Sequence, residues 1–403
     1  MKIHRTKQGS FKESKAGEIP IDWECLRLGE LFSNSQARGK AGLATLSITM
    51  DKGIISRDTI ERRMGPTLPP EQSLHVRQGD LAYNMMRMWQ GAVGVSPIEG
   101  VVSPAYVVCR PKIKKVDARF MYYVFKSHHG LFRLRAFSHG ITDDRLRLYF
   151  DDFASIPVQC PTLREQCKIA DILSTWDEAL TQLDAVIEAQ ERCKKALMQQ
   201  LLTGRRRLKG FRKPWMTAKL GTLFKERVEQ GRIDLPLLSI TADRGIVRRS
   251  DVAKRDSSSE DKSKYLRIVP GDIGYNTMRM WQGVSALSAL EGIVSPAYTI
   301  CTPTERIDGR FAAHFFKLRH TVHLFHRYSQ GLVDDTLNLK FQSFAVIEVS
   351  IPSDLEEQRQ IASILDTADQ QLTLLRTQRT ALDQQKRGLM QRLLTGKLRA
   401  RVT

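Results

Sequence analysis

The chain carries one long sequence pattern twice, and this duplication is the strongest constraint on its fold. The segment Asn84-Met-Met-Arg-Met-Trp-Gln-Gly91 recurs 192 residues later as Asn276-Thr-Met-Arg-Met-Trp-Gln-Gly283. The same spacing relates Leu201-Leu-Thr-Gly204 to Leu393-Leu-Thr-Gly396. Solenoid repeats are much shorter, at about 20–50 residues. The chain is therefore expected to contain two copies of a whole folding unit, which suits a target with two similar, spaced parts.

The charge of the chain indicates a polyanionic partner. Its 403 residues include 63 Lys and Arg against 44 Asp and Glu, a net charge of +19. Such an excess favours nucleic acid, with an anionic membrane surface as the alternative. No apolar run reaches the roughly 18 residues that span a bilayer, and the N-terminus lacks the apolar core of a signal peptide. We therefore expect a nucleic-acid partner and no membrane partner.

The six cysteines predict a reducing compartment. They show no C-x-x-C spacing and no regular disulfide framework. Disulfides are rare in cytosolic proteins. All six are therefore expected to be reduced thiols in a cytoplasmic protein.

Each copy is expected to consist of a globular stretch followed by a long helix. The globular stretches contain short β-branched and aromatic runs between turn signals such as Gly79-Asp80, a pattern typical of mixed α/β structure. One helix is predicted late in each, over 120–132 and 311–325. The predicted divisions are an N-terminal tail 1–19, globular domain 20–160, central helix 161–204, basic linker 205–214, globular domain 215–352, C-terminal helix 353–396 and tail 397–403.

The two long helical segments show the spacing of a coiled coil. Apolar residues recur with alternating steps of four and three between 163 and 202, and between 355 and 394. Polar residues, which usually fix the register of a coiled coil, interrupt the seam at Gln190, Lys194, Arg379 and Lys386. Two such helices on one chain can pair antiparallel. The predicted fold is thus α+β: two tandem mixed α/β domains separated by two long helices that form an antiparallel, pseudo-twofold coiled coil.

Several short motifs recur in the order typical of a known family. They are Gly17-Glu-Ile-Pro20 before Trp23, Gly79-Asp-Leu-Ala-Tyr-Asn84, Gly100-Val-Val-Ser-Pro-Ala-Tyr106, Arg164-Glu-Gln166 with Lys168-Ile-Ala170, Glu291-Gly-Ile-Val-Ser-Pro-Ala-Tyr298, and Glu357-Gln358 with Gln360-Ile-Ala362. Over essentially its full length the chain resembles the specificity (S) subunit of type I restriction–modification systems.

This resemblance implies a division of labour among subunits. Each globular stretch would be a target recognition domain that reads one half of a bipartite site in double-stranded DNA. The long helices would hold the two domains apart and dock two modification (methyltransferase) subunits, which carry the S-adenosylmethionine and the adenine N6 chemistry. Restriction subunits would complete the nuclease.

No catalytic, cofactor or metal site is expected in the chain itself. An amino-methyltransferase needs an Asn/Asp-Pro-Pro-aromatic loop to hold the flipped adenine, and the double proline in Leu68-Pro-Pro-Glu71 lacks both the amide and the aromatic. No phosphate-binding glycine loop is present. The acidic stretch 256–262 suits a solvated loop better than a nuclease site. His320, His323 and His326 are spaced too closely to keep three metal ligands on one helical face.

The shared loop, residues 84–91 and 276–283, supplies the first candidate DNA contacts. They are Asn84, Arg87, Gln90, Asn276, Arg279 and Gln282. In one interpretation the arginines contact phosphate or guanine and the amides contact adenine. In the other, the methionines and tryptophans are core and the polar residues hold a turn. A motif that is identical in two domains suits phosphate contacts better than sequence discrimination.

Sequence discrimination is expected where the copies differ. The first divergent segment is 57–75 against 249–267, and the second is 139–147 against 330–340. Their basic candidates are Arg57, Arg62, Arg63, Arg145, Arg147, Arg248, Arg249, Lys254, Arg255 and Lys340. Ordinary solvated loops are the alternative.

Three other functions stay open from the sequence. The specificity chain of a combined restriction–methylation enzyme would have a single kind of protein partner. A free-standing DNA-binding regulator would bind its operator tightly alone. A coiled-coil scaffold would show no DNA sequence preference.

Overall fold

The structure is a computed structural model that describes residues 10–60, 68–112, 114–252, 261–333 and 336–400. The chain divides into two compact units. The first unit comprises the residues up to Leu183 and those from Gln378 onward, and the second comprises Asp184–Thr377. Each unit therefore contains one globular stretch and a part of both long helices.

The first unit is built on a four-stranded antiparallel sheet with the order β4-β11-β8-β9. Two-stranded pairs β1-β2, β3-β12, β5-β6 and β7-β10 surround it. Its strands are β1 (Phe11–Lys12), β2 (Ile19–Pro20), β3 (Glu24–Arg27), β4 (Phe32–Asn34), β5 (Leu46–Thr49), β6 (Gly53–Ser56), β7 (Leu74–Val76), β8 (Leu81–Asn84), β9 (Val93–Val95), β10 (Gly100–Val102), β11 (Tyr106–Pro111) and β12 (Pro157–Cys160). Its helices are α1 (Leu28–Leu31), α2 (Ala118–Lys126), α3 (His128–Ala136), α4 (Phe150–Ser155) and the start of α5 (Leu163–Leu201).

The second unit repeats this arrangement around the sheet β14-β21-β18-β19. Its two-stranded pairs are β13-β22, β15-β16 and β17-β20. Its strands are β13 (Trp215–Lys219), β14 (Phe224–Glu226), β15 (Leu238–Thr241), β16 (Gly245–Arg248), β17 (Leu266–Ile268), β18 (Ile273–Asn276), β19 (Ser285–Leu287), β20 (Gly292–Val294), β21 (Tyr298–Pro303) and β22 (Glu348–Pro352). Its helices are α6 (Leu220–Leu223), α7 (Gly309–Phe315), α8 (Arg319–Tyr328), α9 (Phe341–Ala345) and the start of α10 (Leu355–Leu394). The prediction of two tandem mixed α/β domains is confirmed.

The same aromatic cluster forms the centre of each unit. In the first unit Phe153 packs on Tyr83, Phe125 and Phe32, with ring centroids 5.2–6.1 Å apart. In the second unit, Phe344 makes the equivalent contacts with Tyr275, Phe316 and Phe224 at 5.5–5.8 Å. Each fully buried aromatic ring contributes about 1.5–3 kcal/mol of transfer free energy. The two sheets are therefore held by equivalent cores.

The prediction of one helix over 120–132 and one over 311–325 is wrong, because each region contains two helices. Ser127 interrupts the first region with an extended backbone and accepts a hydrogen bond from the Gly130 N–H at 3.0 Å. It thus caps α3 where α2 ends. Leu318 has the same extended backbone ahead of α8. Apolar periodicity continues through the break, so the pattern alone does not reveal it.

The long helices pair antiparallel within each unit, as predicted. In the first unit Lys386 bonds Asp177, and Arg399, beyond the end of α10, bonds Glu165 near the start of α5. In the second unit Lys194 bonds Asp369, and the Gln190 amide donates to Gln371 at 2.7 Å. The polar interruptions of the heptad seam are thus matched to polar partners. Charge pairing at such positions favours one register over others.

The segment that follows each long helix closes the helix pair. Arg399 also bonds Asp22 and lies over the Trp23 ring at 5.7 Å. Its counterpart Arg207 bonds Glu357 at 2.6 and 2.7 Å and lies over the Trp215 ring at 5.9 Å. Glu165 and Glu357, the carboxylates that these two arginines bond at the starts of α5 and α10, are almost completely buried.

One difference between the units predicts a pH effect. Tyr123 donates to Asp177 at 2.7 Å in the first unit, whereas His314 occupies the corresponding place in the second and bonds Asp366 at 2.7 Å. Burial lowers the pKa of His314, outweighing the opposing effect of Asp366. The folded second unit therefore favours neutral histidine, and its stability falls as the pH drops below the unfolded pKa of about 6.5.

We expect hydrogen exchange in α7, corrected for its intrinsic pH dependence, to show weaker protection at pH 5.5 than at pH 7.5. Exchange in α2 of the first unit serves as the internal reference. His314→Tyr, which introduces the residue of the first unit, should remove the difference. If α7 of the His314→Tyr variant lost as much protection between pH 7.5 and pH 5.5 as α7 of the wild type, His314 would not be the cause of the pH effect.

Candidate nucleic-acid interface

The shared loop forms the same turn in both units. A 3-10 turn at Met88–Gln90 ends at Gly91, and one at Met280–Gln282 ends at Gly283. Both glycines have a positive φ, of 86° and 77°, a conformation that residues with a Cβ atom rarely adopt. The Asn84 Oδ1 accepts the Met86 N–H at 2.9 Å, and the Asn276 Oδ1 accepts the Met278 N–H at 3.0 Å. These carbonyl oxygens hold the turn.

The apolar residues of the shared loop divide into core and surface. Met88 and Met280 are completely buried. Trp89 and Trp281 donate their indole N–H to the carbonyls of Met86 and Met278, at 3.2 and 3.0 Å. Met86 and Met278 themselves lie at the surface, 43 % and 46 % exposed. The interpretation of the methionines and tryptophans of this loop as core residues is therefore correct for Met88 and Met280 and wrong for Met86 and Met278.

The charged and amide side chains of the shared loop point to solvent. Arg87, Gln90, Arg279 and Gln282 are all exposed. Arg279 donates to the Gln282 side-chain oxygen at 3.4 Å, and no ion pair joins Arg87 or Arg279 to a carboxylate of the described residues. Each unit thus presents an arginine on a turn that is fixed by its own hydrogen bonds, which is what a phosphate contact requires.

The second divergent segment lies beside the shared loop in both units. The Leu148 N–H donates to the Met85 carbonyl, and the Leu339 N–H donates to the Thr277 carbonyl, both at 2.9 Å. Arg145 and Arg147 in the first unit and Lys340 in the second are exposed. The structure therefore brings these predicted residues to the same face as the shared loop.

The candidates of the first divergent segment are placed differently. Lys126 bonds the carbonyls of Met50, in the β5–β6 turn, and Gly91, so this turn is fixed to the shared loop. Arg57 follows β6 at the end opposite to that turn, and Arg248 and Arg249 end β16 and follow it. Arg248 is exposed, whereas Arg57 and Arg249 are half-buried. Arg62, Arg63, Lys254 and Arg255 lie outside the described residues.

A cleft in the first unit contains residues that sequence reasoning missed. It has a volume of about 400 Å³, and its lining includes Asn34, Gln36, Arg38, Met85, Tyr106 and Tyr149. The guanidinium of Arg38 donates to the Gln72 carbonyl at 2.8 Å, at the end of the first divergent segment. Met85 belongs to the shared loop and Tyr149 follows the second divergent segment. The cleft therefore joins all three predicted regions.

A sequence signal for this cleft was available. Asn34, Gln36 and Arg38 are hydrogen-bonding residues at every second position, the spacing that places side chains on one side of an extended segment. At the spacing of the duplication their counterparts are Glu226, Val228 and Gln230. The first copy thus carries three hydrogen-bonding side chains where the second carries a carboxylate, an aliphatic group and an amide. Such differences suit half-sites with different bases.

Several other titratable groups of the two sheets have structural roles. Burial raises the pKa of the Tyr83 and Tyr275 phenols well above 10. Arg110 bonds the buried Asp80 at 3.2 Å, and Arg227 bonds the buried Asp272 at 2.7 Å. These pairs fix the starts of β8 and β18, at the strand ends opposite to the shared loop.

The described part of the chain offers neither a metal-binding cluster nor a membrane-spanning helix. It contains no group of three or more His, Cys, Asp or Glu side chains arranged to hold a metal. His326 of the α8 histidines packs against the Trp281 ring at 5.8 Å. The acidic stretch 256–262 falls mostly outside the described residues. No described helix combines the length and apolar character needed to cross a membrane.

Comparison with known proteins gives a consistent family. A family model described as "Type I restriction modification DNA specificity domain" matches residues 20–190 and 298–384. The type I restriction enzyme MjaVIII specificity subunit of Methanocaldococcus jannaschii is 24 % identical, over 98 % of this chain and 97 % of its own length.

Solved structures show a related fold. The S subunit of a type I restriction–modification system from M. genitalium matches with a TM-score of 0.58 and 15 % identity, over 93 % of this chain and 96 % of that one. A chain from a structure described as the basis of complex assembly and conformational transition of the type I R-M system matches with a TM-score of 0.53 and 16 % identity, over 94 % and 99 %.

Proposed function

The chain belongs to the family of type I restriction modification DNA specificity domains, and on this premise we propose that its two units each read one half of a bipartite double-stranded DNA target. The chain is the specificity subunit of such a system. It directs an adenine methyltransferase and restriction subunits to that target and carries out no chemistry itself.

The observation that carries this proposal is the duplicated face. Each unit places an exposed arginine on the same hydrogen-bonded turn, beside a divergent segment that contributes its own basic residues. The identical part suits the phosphate backbone and the divergent part suits the bases. A net charge of +19 adds a general attraction to DNA.

The long helices are the proposed docking elements for two modification subunits, with restriction subunits joining the assembly. Val186 on α5 and Leu374 on α10 are exposed aliphatic residues on helices whose seams are already filled. Two single aliphatic side chains are not a contiguous apolar patch, so the docking role is proposed from the family to which the chain belongs. The six cysteines are free thiols, which is consistent with the proposed cytoplasmic location.

Methylome sequencing tests the proposed function. A host expresses the neighbouring methyltransferase with and without this chain. We expect a bipartite adenine motif with a fixed gap that is methylated only when the chain is present. Unchanged methylation, with the methyltransferase shown to be active, would instead favour a free-standing regulator or a scaffold.

Replacing the shared arginines should weaken DNA binding regardless of sequence. In the complex with the methyltransferase, we expect Arg87→Ala and Arg279→Ala each to reduce the slope of log affinity against log salt by about one, because each removes one phosphate contact. Binding to target and non-target duplexes should fall by the same factor. The matched control is Lys219→Ala, an exposed cation at the end of β13. An unchanged slope in both arginine variants would exclude the phosphate contact.

A further inference from the structure

The cleft of the first unit that contains Arg38 combines residues that recur in both units with residues that differ. We call it the Arg38 cleft. Its recurring members are Leu74, Pro104, Tyr106 and Phe150, which correspond to Leu266, Pro296, Tyr298 and Phe341. Its charged and amide members are Asn34, Gln36, Arg38 and Asp151, which correspond to Glu226, Val228, Gln230 and Gln342. The two copies therefore keep one apolar and aromatic scaffold and change every charged or amide group on it.

The backbone at the varied positions is held in the same way in both units. The residues before and after Gln36 bond β11 and β7 through the Ser35 N–H and the Ala37 carbonyl, both at 2.8 Å. The residues before and after Val228 make the same two bonds to β21 and β17, at 2.9 and 2.8 Å. Residues 36 and 228 thus occupy one fixed backbone position with different side chains.

Arg38 is also held by its surroundings. Its backbone forms a bridge with Leu74, and its guanidinium donates to the Gln72 carbonyl at 2.8 Å. A guanidinium has five N–H donors, so this bond fixes the group and leaves donors for a ligand. A group that is fixed in advance loses little conformational entropy on binding.

The balance of charge at these positions favours base edges over phosphates. In the first unit the cleft contains one cation, Arg38, and one carboxylate, Asp151. The corresponding positions of the second unit again hold one of each, Lys340 at the position of Tyr149 and Glu226 at that of Asn34. A phosphate site needs an excess of cations, whereas base edges present neutral donors and acceptors. The cleft therefore suits bases.

The position of the cleft and its variation between the units both favour DNA over a protein partner. Met85 of the shared loop lines the cleft, and so does Tyr149, which follows the second divergent segment, so the cleft is continuous with the candidate interface. Two copies of one methyltransferase would meet like surfaces in the two units. The charged and amide residues of the cleft are unlike, as the reading of different bases requires.

We propose that the Arg38 cleft reads bases of the first half-site, and that residues 36 and 38, with residues 228 and 230 in the second unit, determine which bases are accepted. The amide of Gln36 pairs with adenine and the guanidinium of Arg38 with guanine, because these groups match the donors and acceptors of those bases. Val228 makes an apolar contact with the methyl group of thymine, and Gln230 pairs with adenine. This inference rests on the proposed DNA-reading function and assigns its base specificity to four side chains.

Reciprocal exchange between the units tests the proposal. The variants are Gln36→Val and Arg38→Gln in the first unit, and Val228→Gln and Gln230→Arg in the second. Each full-length variant is assembled with the methyltransferase. Methylome sequencing then gives the methylated motif, and binding to duplexes with each base at each motif position gives the discrimination.

Ser33→Ala and Lys225→Ala are the matched controls. Both residues are exposed and occupy corresponding positions of β4 and β14. Each lies one residue before a varied position, so its side chain points to the opposite side of the strand. The motif of both control variants should match that of the wild type.

We expect Gln36→Val to change one base of one half-site and to leave the other half-site unchanged. The preference for adenine at that base should fall about 5- to 150-fold, the range for the loss of one bidentate contact. Arg38→Gln should reduce the preference for guanine in the same half-site, and the second-unit variants should change the other half-site. The half-site that stays unchanged shows in each variant that the complex is folded and active.

Three outcomes would overturn the proposal. They are an unchanged motif in all four exchange variants, an equal loss of affinity for every sequence, and a loss of the methyltransferase from the complex with normal DNA binding. The second would make the cleft a phosphate contact, and the third would make it a protein contact. Failure of the proposed function is distinguishable, because no methylated motif would then depend on the wild-type chain.

Discussion

Replacing Arg399 by alanine is expected to destabilise the first unit by about 3–5 kcal/mol, because it leaves a buried carboxylate without its charge partner. The guanidinium of Arg399 bonds both oxygens of Glu165 at 2.8 Å and also bonds Asp22 at 2.6 and 2.9 Å. Glu165 is only 3 % exposed. Without Arg399 its described side-chain partner is the Trp23 indole N–H, at 3.2 Å.

Hydrogen exchange resolved by peptide measures this effect within the intact chain. Protection of β12 and of the α5 residues before Leu183 should fall, while β22 in the second unit stays unchanged. Lys397→Ala is the matched control, because it removes an exposed cation two residues earlier on the same segment. Arg207→Ala should reverse the pattern, since Arg207 pairs with Glu357 in the second unit. Equal effects of Lys397→Ala and Arg399→Ala would show that the segment acts through net charge alone.

The Arg399 pair also shows where sequence reasoning stops. Local patterns predicted the two copies, the strand-rich domains and the long helices, because each depends on a spacing within a short stretch. The heptad interruptions at Lys194 and Lys386 even identified the residues that pair between helices. No local pattern indicates that residues beyond Gln378 complete the first unit. That contact joins residues 234 positions apart and follows from tertiary packing.

The residues of the candidate interface also divide into those that the sequence predicted and those that depend on the tertiary structure. Comparison of the copies identified the shared arginines and the second divergent segment, and the structure places both on one face in each unit. The comparison of the copies could not assign the Asn84 and Asn276 side-chain oxygens to the turn, since that role depends on backbone geometry. Arg38 was missed because its place beside Tyr149 depends on the packing of strands that are distant in sequence.

Gly130→Ala is expected to destabilise the first unit by about 3 kcal/mol, the upper range for overpacking a core. An added Cβ would lie 1.9 Å from the Val124 carbonyl oxygen and 2.9 Å from the Val124 carbonyl carbon. Both are backbone atoms, so α2 and α3 must move apart. Peptide-resolved exchange of α2 and α3 measures the loss, with α7 and α8 as the internal reference.

Comparison of the two copies alone would predict the opposite result. The position of Gly130 corresponds to Thr321 in the second unit, where the side chain is fully buried and tolerated. There α7 ends at Phe315, two residues earlier than the corresponding end of α2 at Lys126, so the backbone leaves space. A side chain is therefore accepted at residue 321 and excluded at residue 130, because α2 extends two residues further than α7.

Gly388→Ala is the control within the same unit, because it is expected to stabilise the unit where Gly130→Ala destabilises it. Gly388 lies in the interior of α10 and is exposed, and an added Cβ would meet nothing within 4 Å. Alanine there should stabilise the helix by about 0.5–1 kcal/mol, because glycine has the higher conformational entropy in the unfolded chain. If Gly130→Ala and Gly388→Ala both stabilised the unit, helix propensity would dominate over the contact with Val124. Opposite shifts would establish that the junction of α2 and α3, and not the propensity of either helix, requires glycine at residue 130.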